Sequence, residues 1–351
     1  MIERLIYMLG AGLLMGLASC GGRTARTART PDTIALAPCP RFDADSAMNH
    51  IVRQCDFGPR IPASQAAERC AEYIKAAFEQ YGAEVGTQSF EASLYDGYLH
   101  QGREMVARPH GTKYAATNII ARLNTANPDR LLLCAHWDSR PWADSDPLER
   151  NWQKPVPAAN DGASGVAVLL ELCRLLQQKP IPVGIDFVCF DAEDVGAPQW
   201  ARPEDDEDSG WCQGSLFWAR KAKADGYRAR YGILLDMVGG RGSTFSREMV
   251  SRRYADPVVD MVWRLAHQLG YGHYFPLRDG GFLTDDHVNV NQTARVPCID
   301  IVPYFEAGPS SFGPTWHTVD DTPENIDPHV LAAVGQTLTQ LLYNEAQTYD
   351  N

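Results

Sequence analysis

The stretch Leu131–Asp138, with the sequence LLLCAHWD, decides the fold because an uninterrupted apolar run stops abruptly at polar residues. Near-continuous apolar character is typical of a strand that is buried on both faces of a parallel sheet. Short runs of the same kind recur at wide spacing along the chain. The predicted strands are Thr117–Leu123, Arg130–Ala135, Ile185–Phe190, Tyr231–Met237 and Pro297–Val302.

Patterns with the helical period precede and separate these strands. The predicted helices are Ser46–Phe57, Ala63–Tyr81, Gly165–Gln178, Gly214–Ala224, Pro257–Leu269 and Pro328–Ala346. The alternation indicates the α/β class, as a single layered domain with a central twisted, largely parallel (mixed) sheet flanked by helices. Two long irregular stretches, Trp142–Ala159 and Val195–Gln213, interrupt the alternation, and loops of this length usually carry function.

The composition is that of an ordinary globular protein. The chain has 351 residues, of which 44% are hydrophobic and 22% charged, which excludes collagen-like and mostly disordered classes. Its 44 acidic and 32 basic residues give a net charge of -12, and no basic patch interrupts the body of the chain. We therefore expect no nucleic-acid partner.

The first twenty residues predict a targeting segment. The apolar run Leu5–Leu17 is too short to span a bilayer, and small residues follow it before Cys20. This pattern resembles a bacterial lipoprotein signal, which implies removal of residues 1–19 and a lipid anchor to a membrane on Cys20; a plain secretory signal is the alternative. We expect a flexible tether over residues 20–45, a catalytic domain over residues 46–351, and a location on the periplasmic side of the cell envelope, with the outer membrane favoured.

An exported protein can form disulfides among its cysteines. Four cysteines lie in apolar runs or on a helical pattern and are predicted to be buried free thiols: Cys134, Cys173, Cys189 and Cys298. The remaining four are better candidates for disulfides, although the sequence does not pair them: Cys39, Cys55, Cys70 and Cys212.

Acidic residues and a histidine stand where predicted strands end or where a helix begins. They are His136, Asp138, Asp161, Glu193, Asp194 and Asp236. Parallel strands bring their carboxyl ends to one edge of a sheet, where crowded carboxylates repel one another unless a cation lies among them. Histidine with carboxylates suits zinc, so the pattern predicts a zinc site. The alternative is that each acid is only a turn or helix-capping residue.

Two segments near the C-terminus add to this pattern. Leu283–His287 follows a glycine-rich turn, and Phe312–Asp321 contains the pair Trp316-His317 in a loop with glycine and proline. A tryptophan beside a histidine in such a loop predicts a ligand histidine with an aromatic wall. A structural loop anchored by a buried tryptophan is the alternative.

Together these segments resemble the co-catalytic zinc aminopeptidase superfamily and, within it, the glutaminyl-peptide cyclotransferases (glutaminyl cyclases) of Bacteroidetes-like bacteria. The resemblance covers roughly Asn49 to the C-terminus and implies a zinc-aminopeptidase-like fold. The motifs that carry it are His136-x-Asp138, Asn160-Asp161-x-x-Ser164-Gly165, Phe190–Asp194, Leu234–Gly239, Thr284–His287, Trp316–Asp321 and Glu324–Asp327.

The resemblance implies a role for each matching residue. One zinc ion per chain would be held by Asp161, Asp194 and His317. Glu193 would be the general acid/base, with Asp236 and Asp285 forming a carboxylate network beside the substrate amine. The pocket walls would be Trp200, Trp316, Leu283 and Phe312.

The implied reaction converts the N-terminal glutamine of peptides and proteins to pyroglutamate and releases ammonia, with zinc as Lewis acid. The main alternative is a di-zinc aminopeptidase in which His136 and Asp236 hold a second zinc, Asp161 bridges and Glu193 is the base. A third possibility is a surface lipoprotein that binds peptides or sugars without chemistry.

Overall fold

The structure is a computed structural model that describes residues 33–94, 98–101, 104–107, 112–201 and 210–347. The predicted signal peptide, Cys20 and the tether up to residue 32 lie outside the described residues. Among the residues described, no helix is both long and apolar enough to cross a membrane.

A six-stranded sheet forms the centre of the domain. Its spatial order is β1 (Glu84–Leu94), β4 (Thr112–Leu123), β6 (Gly184–Phe190), β5 (Arg130–His136), β7 (Gly232–Leu235) and β8 (Cys298–Ile301). The last four strands in this order are parallel, whereas β4 is antiparallel to both of its neighbours. A separate hairpin pairs β2 (Tyr98–Gln101) with β3 (Glu104–Ala107). The prediction of a largely parallel, mixed sheet is confirmed.

Helices cover both faces of this sheet. They are α1 (Ala44–Asp56), α2 (Gln65–Gln80), α3 (Ala163–Gln178), α4 (Gln213–Ala224), α5 (Met249–Gln268), α6 (Asp286–Asn289) and α7 (Pro328–Gln347). Short turns of 3-10 or π helix occur at Glu149–Asn151, Gln199–Ala201, Val290–Ala294 and Pro323–Asn325. Alternate side chains of β5 enter two cores, with Leu133 packed on the side of α1, α2, α3, α5 and α7, and Leu132 on the side of α4.

Several elements differ from the prediction, which contained neither the strands β2 and β3 nor the short helix α6. β1 was not predicted either, because it is an edge strand whose residues are mostly exposed or half-buried and lack the apolar run of the central strands. Helix α5 begins at Met249 rather than at Pro257, with Glu248 as its N-cap. Proline cannot donate a helical hydrogen bond, and the helix is kinked at Ala255, two residues before it, but it does not start there.

Residues 34–43 belong to the folded domain, which corrects the predicted end of the tether at residue 45. The backbone amide of Ala37 donates to Asn344 and that of Phe42 donates to Gln336, both on α7. The Phe42 ring lies so close to Gly335 that a β-carbon there would be 2.4 Å from it. This segment therefore packs along α7 as part of the domain and does not form the flexible tether that was predicted.

All eight cysteines within the described residues are free thiols. The expectation of buried thiols is met at its four positions: Cys134, Cys173, Cys189 and Cys298. The disulfide candidates are corrected, because they too are unpaired: Cys39, Cys55, Cys70 and Cys212. The fold is thus held by its apolar core and hydrogen bonds.

Candidate metal centre and active site

The polar segments that follow β5, β6 and β7 lie together at the carboxyl edge of the parallel strands. β5 ends at His136, and β7 is followed directly by Asp236. The loop after β6 carries Glu193 and Asp194, and Asp161 lies just before α3. Ligands of open α/β sheets bind at this edge.

Asp161, Asp194 and His317 form a buried group whose ligand atoms all lie within 4.8 Å of one another. His317 Nε2 is 3.0 Å from Oδ1 of Asp194 and 3.7 Å from Oδ2 of Asp161. Among the described residues, neither buried oxygen of Asp194 has a hydrogen-bond partner. Close approach without hydrogen-bond geometry fits three ligands that point at one cation. Two carboxylates and an imidazole suit zinc and leave a coordination position open.

Two further buried aspartates fix the backbone that carries these ligands. Asp138 accepts hydrogen bonds from the backbone amides of Glu193, at 3.1 Å, and Asp194, at 3.0 Å. Asp321 accepts one from the backbone amide of Asp161, at 3.0 Å. Each carboxylate satisfies amides that have no partner in regular secondary structure, so the ligand loops are held by side chains from distant segments.

His136 lies beside this group. Its Nε2 is 2.9 Å from Oδ1 of Asp161 and 3.2 Å from Oδ1 of Asp236, and its Nδ1 is 3.4 Å from Asp138. His136, Asp161 and Asp236 also have ligand atoms within 4.8 Å of one another. This second group contains the residues that a two-zinc site needs, so the geometry of potential ligands does not separate the two enzyme classes.

Glu193 lies next to the metal group and faces a cysteine on its other side. The Cys212 thiol donates to Oε1 of Glu193 at 3.3 Å, and atoms of Glu193, Cys212 and Asp285 lie within 4.8 Å of one another. The backbone amide of Cys212 also donates to the carbonyl of Glu193. Sequence reasoning missed Cys212 as a site residue, because only the return of the chain before α4 brings it here.

Burial and crowding raise the pKa of the site carboxyl groups. Burial, together with the charge of Asp161, raises the pKa of Asp194 to about 6. Burial, with the charges of Asp161 and Asp285, raises the pKa of Asp236 to about 8. Burial also raises the pKa of Glu193 well above its usual range, with Asp194 adding to the effect. A site with such an excess of carboxyl groups favours a bound cation.

A cavity of about 450 Å³ opens over these residues, a size suited to a small ligand. Its lining contains the metal group together with Arg140, Asp144, Glu193, Ala197, Gln199, Trp211, Asp236, Met237, Thr284, Asp285, Phe312 and Trp316. The cavity therefore presents carboxylates and aromatic rings to the same bound molecule.

Two of the four predicted wall residues, Phe312 and Trp316, line this cavity, whereas Leu283 and Trp200 do not. The indole of Trp200 instead stacks on Trp152, with ring centroids 5.8 Å apart. Leu283 directly precedes a lining residue in the chain without lining the cavity itself. The structure thus corrects the predicted positions of both side chains.

Trp211 lines the cavity, although the sequence analysis did not name it as a wall residue. Its indole is stacked on the His317 ring, with centroids 5.9 Å apart and planes 6° apart. Gly196 makes room for this ring, because a β-carbon there would lie 2.2 Å from Trp211 Cε2. Both tryptophans lie in the irregular stretch Val195–Gln213, and no local pattern distinguishes them.

The fold and the site define the class of the protein: an α/β protein with a candidate carboxylate–histidine metal site at the carboxyl edge of its parallel strands. The chain belongs to peptidase family M28, whose sequence profile matches residues 118–342. Membership confirms the predicted superfamily and makes the protein an enzyme of a zinc-dependent group.

Solved structures and curated proteins resemble this chain. A glutaminyl cyclase from Tannerella forsythia is 45% identical, with a TM-score of 0.80, over 87% of this chain and 99% of that one. A Zn-dependent exopeptidase from Parabacteroides distasonis is 42% identical, with a TM-score of 0.81, over 88% of this chain and 100% of that one. Aminopeptidase YwaD of Bacillus subtilis is 27% identical over 66% of this chain. The matched region spans only 45% of the length of YwaD.

Proposed function

We propose that this protein is a glutaminyl-peptide cyclotransferase that converts the N-terminal glutamine of peptides and proteins to pyroglutamate and releases ammonia. The observation that carries the proposal is that Glu193 and Asp285 face the same cavity as Asp161, Asp194 and His317. The likeness to the Tannerella forsythia glutaminyl cyclase over most of the chain supports it.

In this reaction the α-amine of the glutamine attacks the γ-carbonyl carbon of its own side chain. The ammonium form has no free electron pair, so the neutral amine is the nucleophile. As the nitrogen–carbon bond forms, Glu193 takes one proton from this amine and gives it to the leaving nitrogen, which departs as ammonia. Such proton transfer contributes roughly 10²–10⁴-fold to the rate. Asp236 and Asp285, both buried in the cavity lining, bind and orient the amine.

We assign one zinc ion per chain to Asp161, Asp194 and His317. Bound there, zinc supplies Lewis-acid polarisation of the γ-carbonyl group. Phe312, Trp316 and the newly located Trp211 form an aromatic wall that excludes water and favours a folded-back glutamine side chain.

The second candidate function is a di-zinc aminopeptidase. It is favoured by one observation, the close group of His136, Asp161 and Asp236. In that reaction Glu193 would act as the base for a water nucleophile, and a whole residue would leave the peptide.

The deciding experiment incubates purified protein with a glutamine-initiated peptide and measures product mass. Loss of one ammonia from an otherwise intact peptide supports the cyclase, whereas loss of the whole first residue supports the aminopeptidase. The same peptide beginning with leucine is the control, because it offers an aminopeptidase a substrate but has no amide to cyclise. An unchanged glutamine peptide would contradict the cyclase, and both functions would be contradicted if the leucine peptide also stayed unchanged.

We further propose that the enzyme is anchored by lipid on Cys20 to a membrane at the periplasmic side of the envelope, where signal-peptide cleavage would present it with new N-terminal glutamines. Metabolic labelling with a fatty acid tests the anchor: the wild type should be labelled and Cys20→Ser should not. Label in neither protein, or in both, would contradict the anchor, and cytoplasmic protein would contradict the location.

A further inference from the structure

Arg140 is a charged side chain that is fully buried at the active site. It lies in the loop after β5, and none of its surface is exposed. The guanidinium forms a two-pronged pair with Asp144, with Nε to Oδ1 at 2.8 Å and Nη2 to Oδ2 at 2.6 Å. Burying a charge is costly unless it is paired and hydrogen-bonded, so its remaining contacts indicate what the arginine holds in place.

One set of contacts reaches the loop that carries a metal ligand. Arg140 Nη1 donates to the backbone carbonyls of Asp194, at 3.1 Å, and Gly196, at 3.2 Å. The same nitrogen lies 3.5 Å from the Asp194 carboxylate. These two carbonyls lie outside regular secondary structure, so the hydrogen bonds from Arg140 help to fix the path of the loop after β6.

A second set of contacts reaches the other end of the metal group through Asp144. Oδ1 of Asp144, which Arg140 holds, lies 3.3 Å from Nδ1 of His317. The other nitrogen of that ring faces Asp161 and Asp194. A carboxylate on the far side of a ligand histidine orients the ring. Here Asp144 acts by its charge at close range, because Nδ1 of His317 has no hydrogen-bond partner among the described residues. Arg140 therefore acts on two ligands from separate segments of the chain.

The flat face of the guanidinium also supports the aromatic wall. It lies 4.4 Å from the ring centroid of Trp211, the indole that stacks on His317. A lysine ammonium would keep the charge, but it has neither the planar fork nor the face that these contacts use. The geometry therefore requires arginine rather than any cation.

We propose that Arg140 is a positioning residue of the metal centre, which holds Asp194 and His317 at the spacing for one zinc ion and fixes Trp211 against the ligand histidine. The inference rests on the proposed ligand set. It adds a residue that acts through the ligands Asp194 and His317 and through Trp211, rather than by coordinating the ion itself.

The test measures zinc affinity by competition with a chromogenic chelator. We expect Arg140→Lys to weaken zinc binding by about 10- to 100-fold, as loss of an outer-shell partner typically does. The matched control is Arg130→Lys. Arg130 makes the same kind of two-pronged pair with Asp186 at the opposite end of β5, at 2.7 and 2.6 Å. The substitution Arg130→Lys should leave zinc affinity unchanged even if it lowers the stability of the fold.

A spectroscopic readout separates positioning from general destabilisation. In protein labelled with 5-fluorotryptophan, the Trp211 fluorine resonance is assigned by its loss in Trp211→Phe. This resonance should shift in Arg140→Lys and stay in place in Arg130→Lys. Asp144→Asn, which keeps the shape but weakens the link to His317, provides a second variant if Arg140→Lys does not fold, and it should also weaken zinc binding.

Unchanged zinc affinity in the folded Arg140 or Asp144 variant would overturn this role while leaving the proposed function standing. Equal loss of affinity in Arg130→Lys would also overturn it, because the effect would then be one of stability alone. Wild-type protein that binds no zinc would overturn the ligand set and, with it, both proposals.

Discussion

The proposed role of Glu193 as acid/base can be tested with a substitution that hardly changes the size of the side chain. Glu193→Gln keeps the size of the side chain but removes the base, so we expect turnover to fall by roughly 10²–10⁴-fold. Zinc content should be retained, because Glu193 is not among the assigned ligands. Metal analysis and steady-state kinetics on the same sample check both parts, with Glu149→Gln on an exposed turn as the control. Wild-type turnover in Glu193→Gln would remove the proposed acid/base.

The two tryptophans of the irregular stretch allow a paired test. Trp211 lines the cavity and Trp200 packs on Trp152 outside the lining. We expect Trp211→Ala to lower kcat/KM for a glutamine peptide about tenfold, which corresponds to ~1.4 kcal/mol. Trp200→Ala should change it by no more than about twofold. A larger loss of kcat/KM in Trp200→Ala than in Trp211→Ala would indicate that Trp200, as the sequence predicted, forms the pocket wall.

At the scale of one element, Glu248 sets the start of α5. Its carboxylate accepts hydrogen bonds from the backbone amides of Val250, at 2.7 Å, and Ser251, at 2.6 Å. The same carboxylate lies 3.1 Å from His287 Nε2. Burial opposes the charge, but the hydrogen bond from His287 and these amides outweigh it and lower the pKa of Glu248 from 4.5 to about 2. The charged form is therefore the one that stabilises the fold.

A pH series on Glu248→Gln follows from this shift. Because the pKa is lower in the folded state, the carboxylate's contribution is complete above about pH 4.5 and is lost as the pH falls toward 2. We expect the stability difference between wild type and variant, from urea unfolding, to be largest at pH 7 and to shrink below pH 4.5. Comparing the two proteins at each pH cancels other acid effects. A difference that grows on acidification would contradict the assignment.

At the scale of the whole molecule, the number of zinc ions separates the candidate functions. We expect one zinc per chain after equilibrium dialysis, its loss in His317→Ala and its retention in His136→Ala. Removing zinc should lower the unfolding temperature, because an ion that binds only the folded state stabilises it. Two ions in the wild type, with one lost in His136→Ala, would instead favour the aminopeptidase.

The sequence predicted those features of the site whose residues lie close together in the chain. The strands β5, β6 and β7 and the acids at their ends were accessible because both lie within a few consecutive residues, and a parallel sheet then brings them together. The wall position of Trp211 and the contact between Cys212 and Glu193 were not accessible, because they depend on the path of a loop. The same holds for Arg140, whose partners come from three separate segments.

The margins of the fold were harder to predict than its centre. β1 pairs with only one neighbour and needs no apolar run, and residues 34–43 lack any regular structure although they pack on α7. Pro257 suggested a helix start, but Glu248 caps the helix earlier and the chain absorbs the proline as a kink. The hydrophobic pattern of the sequence identifies the strands and helices that are buried in the centre. The edge strand β1 instead depends on backbone pairing with β4, and residues 34–43 depend on side-chain contacts with α7.

The eight unpaired cysteines have a practical consequence for how this enzyme is made and handled. Since no described crosslink holds the chain, recombinant protein produced in reducing cytosol should mature without any oxidative folding machinery. Dithiothreitol should leave its melting curve unchanged. A melting temperature that drops on reduction would reveal a covalent bond that the native enzyme needs.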